Sequence, residues 1–139
     1  MRTPTLQNLA DQQALLDLGI RFAMSADHEE TTKPTAALFA ENGIFEVNGQ
    51  KNTGRKAIED FLQKMRANGF AGPGVGTRHL ICNARVVFDE HGGAQGSSEW
   101  LLLSPEQAGQ KASILASGRY LDSYEKMNGE WVFSHRKVS

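Results

Sequence analysis

Four histidines, sixteen carboxylates and one cysteine hold most of the acid–base and nucleophilic chemistry open to this chain of 139 residues. Two positions stand out by context. His79 lies in Thr77-Arg78-His79-Leu80-Ile81-Cys82-Asn83, a run that reads as the opening of a long strand. Alternation puts Thr77, His79, Ile81 and Asn83 on one face and Arg78, Leu80 and Cys82 on the other. Facing a cavity, His79 is the best-placed general base in the chain, because imidazole titrates near neutral pH. Facing elsewhere, it is a half-buried histidine satisfied by a backbone carbonyl, and hydrophobicity leaves both readings open. Asp27 follows Ser25 and Ala26 at the C-terminal end of the first helical stripe. The negative end of a helix dipole disfavours a carboxylate there. Asp27 therefore either points into water or is stabilised by a group that the local sequence does not show.

The remaining candidates are weaker. His28 lies in a charged turn, His91 in the Asp89–Gly93 hairpin, and His135 alternates with Arg136, so those two face opposite ways. No set of histidines converges with metal-ligand spacing, and the single cysteine, Cys82, excludes an internal disulfide and a cysteine-built zinc site. No metal or cofactor is expected. The glycines at 69, 72, 74 and 76 lack the Gly-Lys-Ser/Thr ending of a phosphate loop, and no Gly-x-Ser-x-Gly elbow occurs. Fifteen basic against sixteen acidic residues give a net charge of −1, which argues against a nucleic-acid surface. The longest apolar runs, Leu101–Leu103 and Ile114–Ala116, are far too short to span a membrane, and residues 1–10 lack the apolar run of a leader. A cytoplasmic, reducing location is the expectation.

The elements that must position Asp27 and His79 can be read from periodicity. Leu6, Leu9, Ala10, Ala14, Leu15, Leu18, Phe22 and Ala26 form one stripe of an amphipathic helix, with Thr5 or Asn8 as its cap. Pro34 opens a short second helix capped by Thr32 and filled by Ala36 to Ala40, and Asn42-Gly43 breaks it. Ile44–Val47 reads as a short strand and Asn48-Gly49 as the turn after it. A third helix runs from Gly54 to Asn68 with Ile58, Phe61, Leu62 and Met65 on one face. After a glycine-rich loop over 69–76, residues 77–88, 94–104, 111–126 and 130–138 read as four long strands joined by short hinges, Asn128-Gly129 being the strongest hairpin signal. Helices first and an antiparallel meander second predict a single α+β domain over 1–139, with the helices on one face of a curved sheet. Such a bend leaves a cavity, where polar residues are candidates for chemistry.

Five short pieces stand in a distinctive order and spacing: Leu38-Phe39-Ala40-Glu41-Asn42-Gly43, Gly54-Arg55-Lys56-Ala57-Ile58, Thr77-Arg78-His79-Leu80 with Asn83, Gly118-Arg119-Tyr120-Leu121-Asp122, and Asn128-Gly129-Glu130-Trp131-Val132-Phe133. Together they resemble the SnoaL-like group of the nuclear-transport-factor-2-like superfamily. The resemblance spans roughly Leu6 to Val138 and implies a cone-shaped, cystatin-like fold: three N-terminal helices on a strongly curved, mainly antiparallel sheet. It is nearest to the scytalone dehydratase and hexachlorocyclohexane dehydrochlorinase branches, which are lyases using an Asp–His pair without metal or organic cofactor. By that likeness Asp27 and His79 form the catalytic pair, and His79 faces the cone. Phe22, Phe45, Met65, Trp100, Leu102, Ser117, Tyr120 and Arg136 are then the expected substrate-binding residues. The chain departs from those branches in having Phe22 beside Arg21 where one has a lysine and Ser117 where the other has a second histidine. Helper tyrosines have no match near Met24 or Phe45, and Glu46-Val47-Asn48 stands where the steroid isomerases carry their base.

Two functional classes follow. One is a cofactor-free lyase or isomerase, dehydratase-like, acting on a small, hydrophobic, cyclic molecule. The other is a non-catalytic ligand-binding or accessory subunit of the same fold, while polyketide cyclisation and epoxide hydrolysis share that fold too. A homodimer or higher homo-oligomer is expected, with Leu80, Trp100 or Trp131 contributing to an apolar patch on the outer face of the sheet.

Overall fold

Thr5 opens the first helix by a reciprocal cap: its hydroxyl accepts the Asn8 N–H at 3.0 Å, and Asn8 Oδ1 accepts the Thr5 N–H at 3.3 Å. In the computed structural model, which describes residues 5–139, this helix is α1 (Leu6–His28). Met1–Pro4, part of the expected domain, lie outside the described residues. The buried face of α1 begins only at Leu15 and continues through Leu18, Phe22, Ala23 and Asp27, while Leu6, Leu9, Ala10 and Ala14 are exposed. The apolar stripe is therefore a core contact over its C-terminal half alone, the half that carries Asp27.

α2 is a single turn (Lys33–Ala36), shorter than expected. Phe39 and Ala40 leave the helix because sheet pairing overrides their local preference. Both are fully buried in β1 (Phe39–Val47), where Phe39 pairs with Phe133. β1 therefore starts five residues earlier than the sequence suggests. Asn48 and Gly49, both at positive φ, turn the chain into β2 (Gln50–Thr53), a return strand that periodicity does not reveal in four polar residues. α3 (Arg55–Ala67) packs Ile58 into the core and is fastened to β1 by Arg55 Nε, which donates to the Phe39 carbonyl at 2.8 Å.

β3 (Arg78–Phe88), β4 (Ala94–Leu103), β5 (Ile114–Met127) and β6 (Glu130–Val138) form the expected meander. The sheet order is β2-β1-β6-β5-β4-β3, antiparallel except for β1 against β6. Register breaks in every long ladder bend the sheet: between Phe39 and Ile44, Cys82 and Arg85, Leu102 and Leu103, and Ser123 and Tyr124. One of them overturns part of the predicted alternation. Thr77, His79 and Ile81 face the helices, but Asn83 takes φ 51° at the β3 bulge and is exposed, bonded to Glu99 on β4.

The core lies between α1, α3 and the inner face of the sheet. Phe22 is its hub, with edge-on contacts to Phe39, Phe45, Tyr120 and Phe133 at centroid separations of 5.6–6.2 Å. Trp100 is inward and buried, not on the outer face, because β4 alternation buries Ser98, Trp100 and Leu102 together. Leu80 is outward and exposed, whereas Trp131 is half-buried and donates from its indole N–H to Asp11 at 2.9 Å.

Candidate active site

The last turn of α1 and the opening of β3 meet at one carboxylate. Asp27 Oδ1 lies 2.7 Å from His79 Nδ1, and Asp27 Oδ2 accepts the His79 backbone N–H at 2.8 Å. Both side chains are nearly sealed, at 9 % exposure for His79 and 5 % for Asp27. An ionised carboxylate only accepts, so the pairing puts the ring proton on Nδ1. The other nitrogen, Nε2, then keeps its lone pair and finds no hydrogen-bond partner among the described residues. Phe70 and Trp100 flank the ring at centroid distances of 6.0 and 6.2 Å.

A carboxylate at the negative end of a helix needs compensation, and Arg66 of α3 supplies it. Its NH2 donates to the carbonyls of Ser25 and Ala26 at 3.3 and 3.2 Å, and its NH1 to that of Glu30 at 3.2 Å. One guanidinium thus caps the α1 C-terminus on both sides of Asp27 and offsets the dipole that disfavours its charge. Nothing in the local sequence signals this, because thirty-six or more residues separate the partners.

His79 opens onto a cavity of about 340 Å³ between the helices and the sheet. Among the expected substrate-binding residues, Phe22, Phe45, Met65, Trp100, Ser117 and Tyr120 line it. Ser117 does so from a solvent-exposed position, since β5 alternation points it away from Tyr120. Leu102 and Arg136 do not line it. Leu102 is buried in the core opposite His79 in the β3–β4 ladder. Phe61, Leu62, Phe70 and Thr35 complete much of the wall. Phe61 and Leu62 share the α3 face of Met65, so their presence is legible in the helix period, whereas Phe70 comes from the glycine-rich loop and has no such signal.

Arg136 occupies a separate place behind that wall. It is fully buried, and its guanidinium carbon sits 3.5 Å over the Tyr120 ring, 4.4 Å over Phe22 and 4.5 Å over Phe133. Its Nε lies 3.1 Å from Asp122 Oδ1, an ion-pair separation without hydrogen-bond alignment. Burial pushes the Asp122 carboxyl up, with the Arg136 cation pulling the other way. Burial also pushes the Tyr120 phenol up, so that it stays a hydroxyl. Of the weaker histidines, His135 pairs with Glu46 at 3.0 Å, on the opposite side of β6 from Arg136.

This arrangement can hold a neutral imidazole with a fixed tautomer against an apolar chamber. Such an arrangement has the groups needed to take a proton from a bound molecule and to stabilise the imidazolium so formed through the adjacent carboxylate.

The fold recurs among solved structures. Rv3472 of Mycobacterium tuberculosis, a protein of unknown function, superimposes with a TM-score of 0.80 at 24% identity, covering 99% of this chain and 75% of that one. A candidate scytalone dehydratase from Novosphingobium aromaticivorans gives a TM-score of 0.70 at 24% identity over 94% of this chain and 84% of its own. ActVI-ORFA of Streptomyces coelicolor gives 0.77 at 18% identity over 91% and 92%. A search of curated proteins returns no match. At such identities these structures establish the cystatin-like architecture. The sequence profile of the SnoaL-like domain matches residues 7–137, and the chain belongs to that family.

Proposed function

We propose that the protein is a cofactor-free lyase or isomerase in which His79 is the general base and Asp27 orients it, acting on a small, hydrophobic, cyclic molecule. The single observation that carries this reading is the two-point grip of Asp27 on His79, with Nδ1 at 2.7 Å and the backbone N–H at 2.8 Å, beside an aromatic-walled cavity. A cavity that only holds a ligand gains nothing from a buried carboxylate, whose desolvation is costly. That asymmetry favours catalysis over the binding-subunit reading. The chemistry suited to such a base is removal of an acidic C–H next to a carbonyl, followed by loss of a β-substituent or by reprotonation at another carbon. The likeness to a candidate scytalone dehydratase supports the eliminating branch only through fold.

The test is a panel of cyclic β-hydroxyketones incubated with the protein and followed by mass for loss of water. Elimination that disappears in His79→Ala, measured per folded molecule with the fold shown intact by circular dichroism, is the expected result. Turnover that survives the substitution removes His79 from the reaction.

A further inference from the structure

We propose that a small polar chamber between α1 and the sheet is a built site for one ordered water, held by the Arg136 guanidinium and the Asp122 carboxylate and admitted by the glycine at position 19. The proposal goes beyond the base reading and does not depend on it, since neither Asp27 nor His79 borders this chamber.

Three observations carry it. First, Arg136 is fully buried, yet its Nε, NH1 and NH2 find no hydrogen-bond partner among the described residues. Asp122 Oδ1, 3.1 Å from Nε but out of line with its N–H, finds none either. Stacking on Tyr120, Phe22 and Phe133 serves the cation's charge but none of its N–H bonds, which lie in the guanidinium plane. Buried polar groups are ordinarily paired with protein or with water, because leaving them unpaired is costly.

Second, these groups border one chamber of about 10 Å³, to which Ser98 and Tyr124 add hydroxyls. That is the space of roughly one water. Tyr124 donates to Asp122 Oδ2 at 3.4 Å, so its oxygen is still able to accept. A water here has donors in Arg136, an acceptor in Asp122 Oδ1 and hydroxyls beside it, which meets the roughly two to four partners that a buried water needs. Burial pushes the Asp122 carboxyl up, and a water donating to Oδ1 returns part of the hydration that burial removed.

Third, Gly19 forms part of the chamber's helical side. It lies in the interior of α1 without a positive φ, so the backbone does not require glycine there. Glycine also weakens a helix interior relative to alanine. A Cβ at this position meets only Arg136 NH2, at 3.9 Å, an ordinary contact. The packing thus tolerates a methyl group, and what the methyl removes is space beside the guanidinium.

Charge and size select water over an anion. Arg136 and Asp122 cancel, so a chloride would add a buried charge without a counter-charge. Arg85 borders the chamber too, but it is an exposed residue whose charge solvent serves. The consequence reaches the large cavity through one contact: Arg136, bonded to the water on its edge, backs the Tyr120 ring at 3.5 Å.

The experiment compares crystal structures of wild type and Gly19→Ala, at a resolution that shows ordered solvent, with thermal unfolding of both proteins. A further wild-type crystal is soaked in sodium bromide. The expected wild-type result is one solvent peak within hydrogen-bond distance of both Arg136 and Asp122, without bromide anomalous signal. Gly19→Ala should lose that peak and fail to show the rise in Tm of about 3 °C that alanine for glycine brings inside a helix. A wild-type map without the peak overturns the proposal, as does bromide at that position, which makes it an anion site. A peak retained in Gly19→Ala, or a full rise in Tm once it is lost, also overturns it. No turnover is measured, so failure here leaves the base reading standing, and failure of the base reading leaves this test unaffected.

Discussion

Replacing Asp27 by asparagine tests the orienting role with the least change of shape. The new side chain keeps one oxygen, which can still accept the His79 backbone N–H now held at 2.8 Å. Its amide nitrogen then faces Nδ1, now 2.7 Å from a carboxylate oxygen. An amide nitrogen only donates, so Nδ1 must become the acceptor and the ring proton moves to Nε2. The nitrogen facing the cavity is thereby blocked as a base. By analogy with the same substitution in the serine-protease triad, the rate should fall on the order of 10⁴-fold. The cost in stability is much smaller. Two charge-assisted hydrogen bonds become neutral ones, a difference of about 2 kcal/mol in total. For a chain of 139 residues that corresponds to a fall in Tm of roughly 6 °C. The assay pairs turnover of the cyclic ketone with nitrogen-15 NMR of the His79 ring. Retention of the Nδ1–H tautomer in Asp27→Asn, or a rate within about tenfold of wild type, would refute the reasoning.

Three further expectations concern the surroundings of the pair. Arg66→Gln should loosen the α1 C-terminus at a cost of about 1 kcal/mol, and hydrogen exchange should show reduced protection of the His79 amide that Asp27 accepts; unchanged protection contradicts the cap. Arg136→Met should cost about 3–5 kcal/mol by leaving Asp122 alone in the core, and Arg136→Met with Asp122→Leu should recover most of it, as read from urea unfolding. Asp11 is held below its ordinary value of 3.8, chiefly by the Trp131 indole N–H and also by Lys126 and Gln7. A depressed carboxylate contributes stability that is present above its unfolded value and lost as pH falls through the folded one. The Trp131 indole resonance should therefore move with a midpoint below 3.8, and a midpoint above it contradicts the clamp.

What could be read from the chain follows the range of the interactions. The α1 period, the Asn128-Gly129 hairpin and the four long strands are local patterns, and the structure keeps them with shifted ends. Strand β5, expected from Lys111, begins at Ile114, because Lys111–Ser113 extend the connection instead of the ladder. The early start of β1 is a non-local effect: Ala36 to Ala40 look helical until β6 pairs with Phe39. For the site, alternation groups His79 with Thr77 and Ile81, but the inward direction came from family likeness and not from hydrophobicity. Asn83 fell on the wrong face because a bulge resets the alternation. Arg136 was expected at the substrate and lies behind Tyr120, paired with Asp122. Arg66 was invisible, since a guanidinium on carbonyls of a distant helix leaves no spacing rule in the sequence.

The central claim is that His79, held by Asp27, removes a proton from carbon. Hydrogen–deuterium exchange tests it most directly. A hydrophobic cyclic ketone without a leaving group is incubated in D₂O with wild type and with His79→Ala at matched folded fractions, and deuterium is counted at the carbon beside the carbonyl. The expected result is rapid incorporation with wild type and only the buffer rate with His79→Ala. Equal incorporation by both proteins would contradict the claim.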